Sequence, residues 1–158
     1  MSLETVAIAL QDSRIAAFVD GSRYILMVVQ AFHLLGLTFL LAVALAFNLR
    51  VLRVSLRGLP VPDLARALHW PFVATFAISV MAGVLLFLPR ATTYARNDPF
   101  VWKLALLGGA AVAQFLLLRK AFVFARQQEA STSLRTLSAL ALLLWLATGV
   151  AGRAIGFV

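Results

Sequence analysis

The chain has 158 residues, of which 63% are hydrophobic and only 13% are charged. A soluble domain of this length does not bury that much apolar side chain, so the composition excludes an ordinary soluble protein. The chain contains no cysteine, which excludes disulfides and thiolate metal sites. The net charge of +8 comes from basic residues that flank long apolar runs. This pattern is typical of membrane topology, and we expect no nucleic-acid partner.

The N-terminal segment, residues 1–23, does not have the pattern of a signal peptide. Acidic residues stand where a basic region and an uninterrupted apolar core are expected: Glu4, Asp12 and Asp20. The stretch from Ser2 to Val19 has a helical composition and an irregular apolar face. It predicts a short interfacial helix that lies on the membrane surface.

Four apolar stretches follow, and each is long enough to cross a bilayer, which takes roughly 20 helical residues. Their approximate bounds are 24–48, 69–89, 100–118 and 136–155. The second stretch is predicted to begin at His69, which would put Pro71 in the first helical turn, where proline is tolerated. The runs are too long for membrane strands and lack their alternation. The sequence therefore predicts an all-α fold, with residues 1–158 forming a single membrane domain built as a four-helix bundle.

Basic residues in the loops predict the orientation of this bundle. The face that joins spans one to two and three to four holds eight basic residues: Arg50, Arg53, Arg57, Arg66, Arg119, Lys120, Arg126 and Arg135. It holds two acidic residues, Asp63 and Glu129, whereas the opposite face holds six basic and four acidic residues. The positive-inside rule places the more basic face in the cytoplasm. We therefore expect a multi-pass protein of the bacterial inner membrane with both termini in the periplasm.

Span one carries a candidate ligand for a cofactor. Gln30 and His33 are three residues apart and so lie near one face of the helix. Polar groups at membrane depth are costly, and they usually face protein, water or a ligand. At the helical rise per residue, His33 and Met81 both lie roughly 12–13 Å below the end at which span one begins. A histidine–methionine pair is a known set of axial haem ligands, so the pattern predicts haem b or a metal ion bound by His33 and Met81. Ordinary hydrogen bonding of His33 to a neighbouring helix is the alternative.

Three cations lie near span ends on the same side of the membrane: Arg90, Lys103 and Arg153. The positive-inside rule does not call for positive charge there. One explanation is that these side chains extend to lipid phosphates. The other is that they bind an anionic ligand, such as haem propionates or a quinol headgroup. In the second case all three are cofactor-binding residues.

Small residues cluster at the depth of His33, at positions 108–111 and 147–152. They indicate either close helix packing or room for a planar cofactor. No span contains an internal Asp or Glu, and no nucleotide-binding or hydrolase motif is present. The sequence therefore predicts no catalytic residue.

Three functions stay open at this point. The first is a haem-binding protein for electron transfer. The second is a non-catalytic subunit that forms a homo-oligomer or joins other membrane proteins. The third is a small transporter of a metal ion or an anion, which would need several copies of the chain or an opening between helices.

Four stretches resemble a family of small, uncharacterised four-span bacterial inner-membrane proteins: Phe32–Gly36, Asn48–Arg50, Leu88–Lys103 and Ala151–Phe157. The resemblance covers nearly the whole chain and implies the fold more than an activity. At the second stretch the family pattern is Asp-Leu-Arg, whereas this chain has Asn48. More loosely, His33 and the basic residues near Arg90 are similar to the haem-carrying membrane protoporphyrinogen oxidase. The four-span layout is also similar to half of a copper-resistance membrane protein, although this chain lacks the many metal ligands of that type.

Overall fold

In the computed structural model, the described residues, 3–123 and 131–154, are almost entirely helical. Four of their helices are long and apolar enough to cross a membrane, so the predicted all-α four-helix bundle is confirmed. These helices are compatible with an integral membrane protein. The helices in chain order are α1 (Leu3–Gln11), α2 (Arg14–Asp20), α3 (Arg23–Val51), α4 (Val61–Phe87), α5 (Ala91–Ala95), α6 (Asp98–Val123) and α7 (Thr132–Ala154), with a short 3-10 turn at Leu88–Arg90.

The four long helices pack as two antiparallel hairpins, α3 with α4 and α6 with α7. We call the end of the bundle at which α3 begins the upper end, and the opposite end the lower end. The hydrophobic core that joins the hairpins occupies the middle and the lower half, around Phe47, Phe72, Leu117 and Trp145. In the upper half the hairpins are less tightly joined, and this difference positions the candidate site.

Helix α4 begins at Val61, so the predicted start of the second span at His69 is wrong as a helix boundary. Pro62 lies in the first turn instead, and Pro71 lies inside the helix. The hydroxyl of Thr75 donates to the carbonyl of Pro71 at 2.7 Å. Trp70 is 73% exposed, as expected for an aromatic residue at a membrane surface. The sequence pattern thus marks where the apolar belt begins, whereas the helix extends beyond it.

Helices α3, α6 and α7 overlap the other three predicted spans, and each extends beyond the apolar stretch at the lower end. The predicted end of span four at residue 155 lies outside the described residues. So do Arg126 and Glu129 of the predicted cytoplasmic loop.

The N-terminal segment forms two helices, α1 and α2, where the sequence predicted one. The break occurs because Ser13 caps α2, its hydroxyl accepting a hydrogen bond from the backbone N–H of Ala16 at 3.2 Å. The predicted first residue, Ser2, lies outside the described residues. Both helices pack against the connection between α4 and α6, so they form a cap over the upper end of the bundle.

The cap is attached to α5 by the side chain of Gln11. Its carbonyl oxygen accepts hydrogen bonds from the backbone N–H of Thr92 at 3.1 Å and from the hydroxyl of Thr92 at 2.7 Å. Arg96 also pairs with Glu4, but this pair is exposed to solvent. An exposed ion pair adds little stability, so Gln11 is the more important attachment.

We predict that Gln11→Ala loosens the cap at a cost of about 1–2 kcal/mol, because a backbone N–H and a hydroxyl lose their acceptor. Limited proteolysis of the N-terminal segment in detergent measures this effect as faster cleavage. Asp12→Ala is the matched control, since Asp12 is the exposed neighbour of Gln11. Equal cleavage rates in the two variants would contradict the prediction.

Candidate cofactor site in the upper half of the bundle

A cavity of about 490 Å³ lies between the two hairpins in the upper half of the bundle. Small-molecule and cofactor sites typically measure about 300–1,000 Å³. All four long helices contribute to its lining, which is mostly apolar. Its polar side chains are Gln30, His33, Ser79, Tyr94, Lys103 and Thr148. We call this space the upper cavity.

His33 is held in one orientation by a hydrogen bond to α4. Its Nδ1 lies 2.9 Å from the carbonyl oxygen of Ser79. Because a carbonyl oxygen can only accept, Nδ1 carries the hydrogen and donates it. In the neutral imidazole, Nε2 is then the bare nitrogen with a free lone pair. Metal-binding histidines commonly show this arrangement, in which a backbone carbonyl fixes the tautomer and the ring.

Two glycines allow the close approach that makes this hydrogen bond. A Cβ atom at Gly83 would lie 3.1 Å from Cε1 of His33, so the ring packs directly on the backbone of α4. A Cβ atom at Gly36 would lie 2.7 Å from the hydroxyl oxygen of Ser79. That hydroxyl donates to the carbonyl of Thr75 at 2.7 Å. Sequence reasoning missed Gly83, although its position one turn after Ser79 places it at the depth of His33.

Lys103 brings a positive charge into the upper cavity. Its side chain lies over Gly152, with Cε at 3.5 Å and Nζ at 3.7 Å from the place of an added Cβ atom. Among the described residues, the ion pairs are those of Arg66 with Asp63 and of Arg96 with Glu4, and neither includes Lys103. A cation in an apolar cavity without a carboxylate partner is costly, so the site favours an anionic ligand.

Aromatic rings form two walls of the cavity. At the upper end, the rings of Phe87 and Tyr94 each stack on Phe100 with centroids 5.3 Å apart. On the lower side, Phe76 lines the cavity and stacks on Phe72 at 6.1 Å. The ring of Phe72 in turn meets Phe115 and Trp145 edge-on, at 5.2 Å and 6.2 Å. Phe76 is thus the lining residue of a ring cluster, and Phe72, Phe115 and Trp145 pack behind it toward the middle of the bundle. We call this ring cluster the aromatic floor.

The structure does not bring Met81 to His33 within one chain. The side chain of Met81 is 65% exposed and is absent from the cavity lining, among the residues that the structure describes. Met81 follows Ser79 by two residues, which is about 200° around a helix. The two predicted ligands share a depth in the membrane, but Met81 points away from α3.

Of the three predicted cations, the structure places only one in the cavity. Lys103 lies in the cavity, whereas Arg90 and Arg153 are exposed near the upper end and do not line it. His69, which the sequence analysis did not include in the site, lies at the lower end between the rings of Trp70 and Phe122. His33 and Lys103 are therefore the two predicted site residues that share the cavity.

The small residues at this depth do not all face the cavity. Gly108 and Gly149 are exposed, and a Cβ atom at either would meet nothing within 4 Å. Gly152 and Thr148 do line the cavity. Only some of the small residues that were predicted to lie around His33 therefore line the cavity.

A buried polar network in the lower half was missed by the sequence analysis. The amide nitrogen of Asn48 donates to Gln114 Oε1 and to the carbonyl of Ala44, both at 2.7 Å. The hydroxyl of Ser138 donates to Asn48 Oδ1 at 2.8 Å, and the indole N–H of Trp145 approaches Gln114 Oε1 at 3.4 Å. The network joins α3 to α6 and α7 and so ties the two hairpins together. An Asn at the end of one apolar span and a Gln inside another were the available signal.

In comparisons with protein-family models, curated proteins and solved structures, nothing matches this chain. The resemblance to small four-span inner-membrane proteins therefore stays a prediction.

Proposed function

We propose that this protein binds haem b in the upper cavity, with His33 as an axial ligand, and that it serves in electron transfer. The observation that supports the proposal most directly is the hydrogen bond from Nδ1 of His33 to the Ser79 carbonyl. It leaves Nε2 unprotonated and fixes the ring, which is what an axial ligand requires.

The chemistry and the volume of the rest of the cavity support the proposal. Lys103 supplies a positive charge for a propionate. The upper and lower aromatic walls supply flat apolar surface, and the volume of about 490 Å³ lies within the range for cofactor sites. A bound haem supplies one-electron chemistry. The residues of this chain would orient it, neutralise part of its charge and exclude water from the lower side.

His33 is the one imidazole or thioether in the cavity lining of the described residues. The proposal therefore assigns one axial ligand to this chain and no longer includes Met81. Arg90 and Arg153, near the upper end, contribute positive charge outside the cavity. Following the basic loops, we propose a bacterial inner-membrane location in which the upper cavity lies in the periplasmic half.

A second candidate is a non-catalytic subunit that forms a homo-oligomer or joins a larger membrane complex. The observation that favours it is the open space around Gly108 and Gly149, both of which are exposed. Glycines on the surface of membrane helices permit close approach of another helix.

The experiment that tests the haem proposal is an absorption spectrum of the protein purified from haem-replete membranes. We expect a Soret band in the wild-type protein and its loss in His33→Ala, because the imidazole is the ligand from this chain. His69→Ala and Met81→Leu are matched controls that remove the other histidine and the exposed methionine, and both should retain the band. A colourless wild-type protein would refute the proposal, and so would a band that survives His33→Ala.

A further inference from the structure

Among the apolar residues that line the upper cavity, three are exposed, whereas the others are half-buried or buried. They are Val80 and Val84 on α4 and Leu104 on α6, with exposed fractions of 37%, 50% and 51%. A side chain with both properties marks a place where the cavity meets the outer surface. Val80 and Val84 are one turn apart on one helix face, and Leu104 is on the helix that packs beside it. We call the gap between these three residues the side opening.

The side opening lies at the depth of the lipid chains. Leu104 is six residues from the start of α6, and Val80 and Val84 lie within the last two turns of α4. At the helical rise per residue, these positions are roughly 5–11 Å from the upper helix ends. The opening is therefore apolar and faces the bilayer, where a water-soluble ligand does not partition.

The direct route from the upper end is covered by packed protein. Ala16 and Val19 of the cap and Ala91 of α5 are buried, with at most 2% of each exposed. Gln11 fastens the cap to α5, and the stacked rings of Phe87, Tyr94 and Phe100 lie below it. A ligand that came from the water above would have to displace these contacts.

We infer that the upper cavity takes its ligand sideways from the bilayer, through the side opening between α4 and α6, and that this ligand is a lipid-soluble amphiphile with a carboxylate group. The apolar opening selects for lipid solubility. Lys103, which has no carboxylate partner among the described ion pairs, selects for the negative group. Haem b, with its flat apolar ring and two propionates, is one such amphiphile, so the inference shares the site of the proposed function. A fatty acid has the same chemistry and is the alternative source.

The test blocks the opening reversibly in a chain that has no native cysteine. Leu104→Cys in proteoliposomes is labelled with a bulky, lipid-soluble methanethiosulfonate, which dithiothreitol removes. Val101→Cys is the matched control, because Val101 is on the same helix, is 54% exposed and does not line the cavity. Gln30→Cys, labelled in the same way, tests entry from the α3 side, where Gln30 is exposed and lines the cavity.

Phosphatidylcholine vesicles that contain haem b serve as the donor, and the growth of the Soret band measures loading. We expect the label at position 104 to slow loading about tenfold, which corresponds to a barrier raised by about 1.4 kcal/mol. Dithiothreitol should restore the rate, and the label at position 101 should leave it unchanged. Unchanged loading with the label at position 104, or a block only with the label at position 30, would overturn the inference while the haem proposal stands.

A second probe, spin-labelled stearate in the same vesicles, does not depend on haem. We expect an immobilised fraction on the unlabelled protein that decreases both in Lys103→Gln and with the label at position 104. If the protein never forms a Soret band but shows this pattern, the haem proposal fails and the inference stands. The inference is refuted if neither Lys103→Gln nor the label at position 104 affects the stearate spectrum, and if the label at position 104 also leaves haem loading unchanged.

Discussion

Replacing Asn48 by leucine lowers the free energy of unfolding by about 2–4 kcal/mol, because the change leaves several buried groups without partners. The amide of Asn48 donates to Gln114 and to the Ala44 carbonyl, and its oxygen accepts from Ser138. Asn48, Gln114 and Ser138 are each at most 1% exposed. Their burial keeps water from replacing the lost bonds, so the penalty is larger than at an exposed position.

Reversible unfolding from mixed micelles measures this free energy. Thr38→Val is the control on the same helix, since Thr38 is exposed and bonds only within α3, to the Leu34 carbonyl. We expect it to change stability by no more than about 0.5 kcal/mol. The double variant Asn48→Leu with Gln114→Leu should lose less than the sum of the two single changes, since it removes both partners together. Strict additivity would show that the two amides are not coupled.

Replacing Gly36 by leucine should separate α3 from α4 and disturb the site as well as the fold. A Cβ atom there would already lie 2.7 Å from Ser79 Oγ and 3.3 Å from the Ser79 backbone nitrogen. The backbone cannot rotate away as a side chain can, so α4 must move. We expect a loss of about 3 kcal/mol, at the upper part of the range for overpacked sites. The Ser79 carbonyl moves with its helix, so His33 loses its fixed orientation.

Gly108→Leu is the matched control for this second prediction. Gly108 is also inside a long helix, but a Cβ atom there meets nothing within 4 Å. The free energy of unfolding of Gly108→Leu should therefore be unchanged or slightly higher, since glycine is a poor helix former. Equal destabilisation by the two changes would contradict the close contact at Gly36. Loss of an oligomer in Gly108→Leu without loss of folding would support the second candidate function.

The sequence predicted the four long helices because a bilayer demands roughly 20 apolar residues per span and satisfies backbone groups only within helices. It did not predict the first two turns of α4. Those turns lie below the apolar belt marked by Trp70, and the start is set by Pro60 and Pro62 rather than by hydropathy. The break at Ser13 was missed for a similar reason, since a local side-chain cap ends the irregular pattern of the N-terminal segment.

For the candidate site, the sequence predicted how deep each residue lies along its helix, but not the direction in which its side chain points. The positions of the spans put Lys103 and His33 at the same end of the bundle, where both line the cavity. The rise per residue gave the depth of His33. It also selected Met81, which lies at the right depth on the wrong side of α4. The rotation of each helix depends on packing, which is decided by close contacts such as that of Gly83 with the His33 ring. Such contacts join residues that are distant in the chain, so spacing alone does not reveal them.

The aromatic floor has an electrical consequence. Phe76 lines the cavity, and Phe72, Phe115 and Trp145 pack behind it, so a charge that comes from the upper water reaches His33 through the upper half of the membrane. His33 lies roughly 13 Å from the start of the apolar stretch, a little less than half of a hydrocarbon layer of about 30 Å. A unit charge placed there therefore gains or loses about 1 kcal/mol for each 100 mV across the membrane. A ligand that carries a net charge into the cavity from the upper water should therefore bind with an affinity that depends on the membrane voltage.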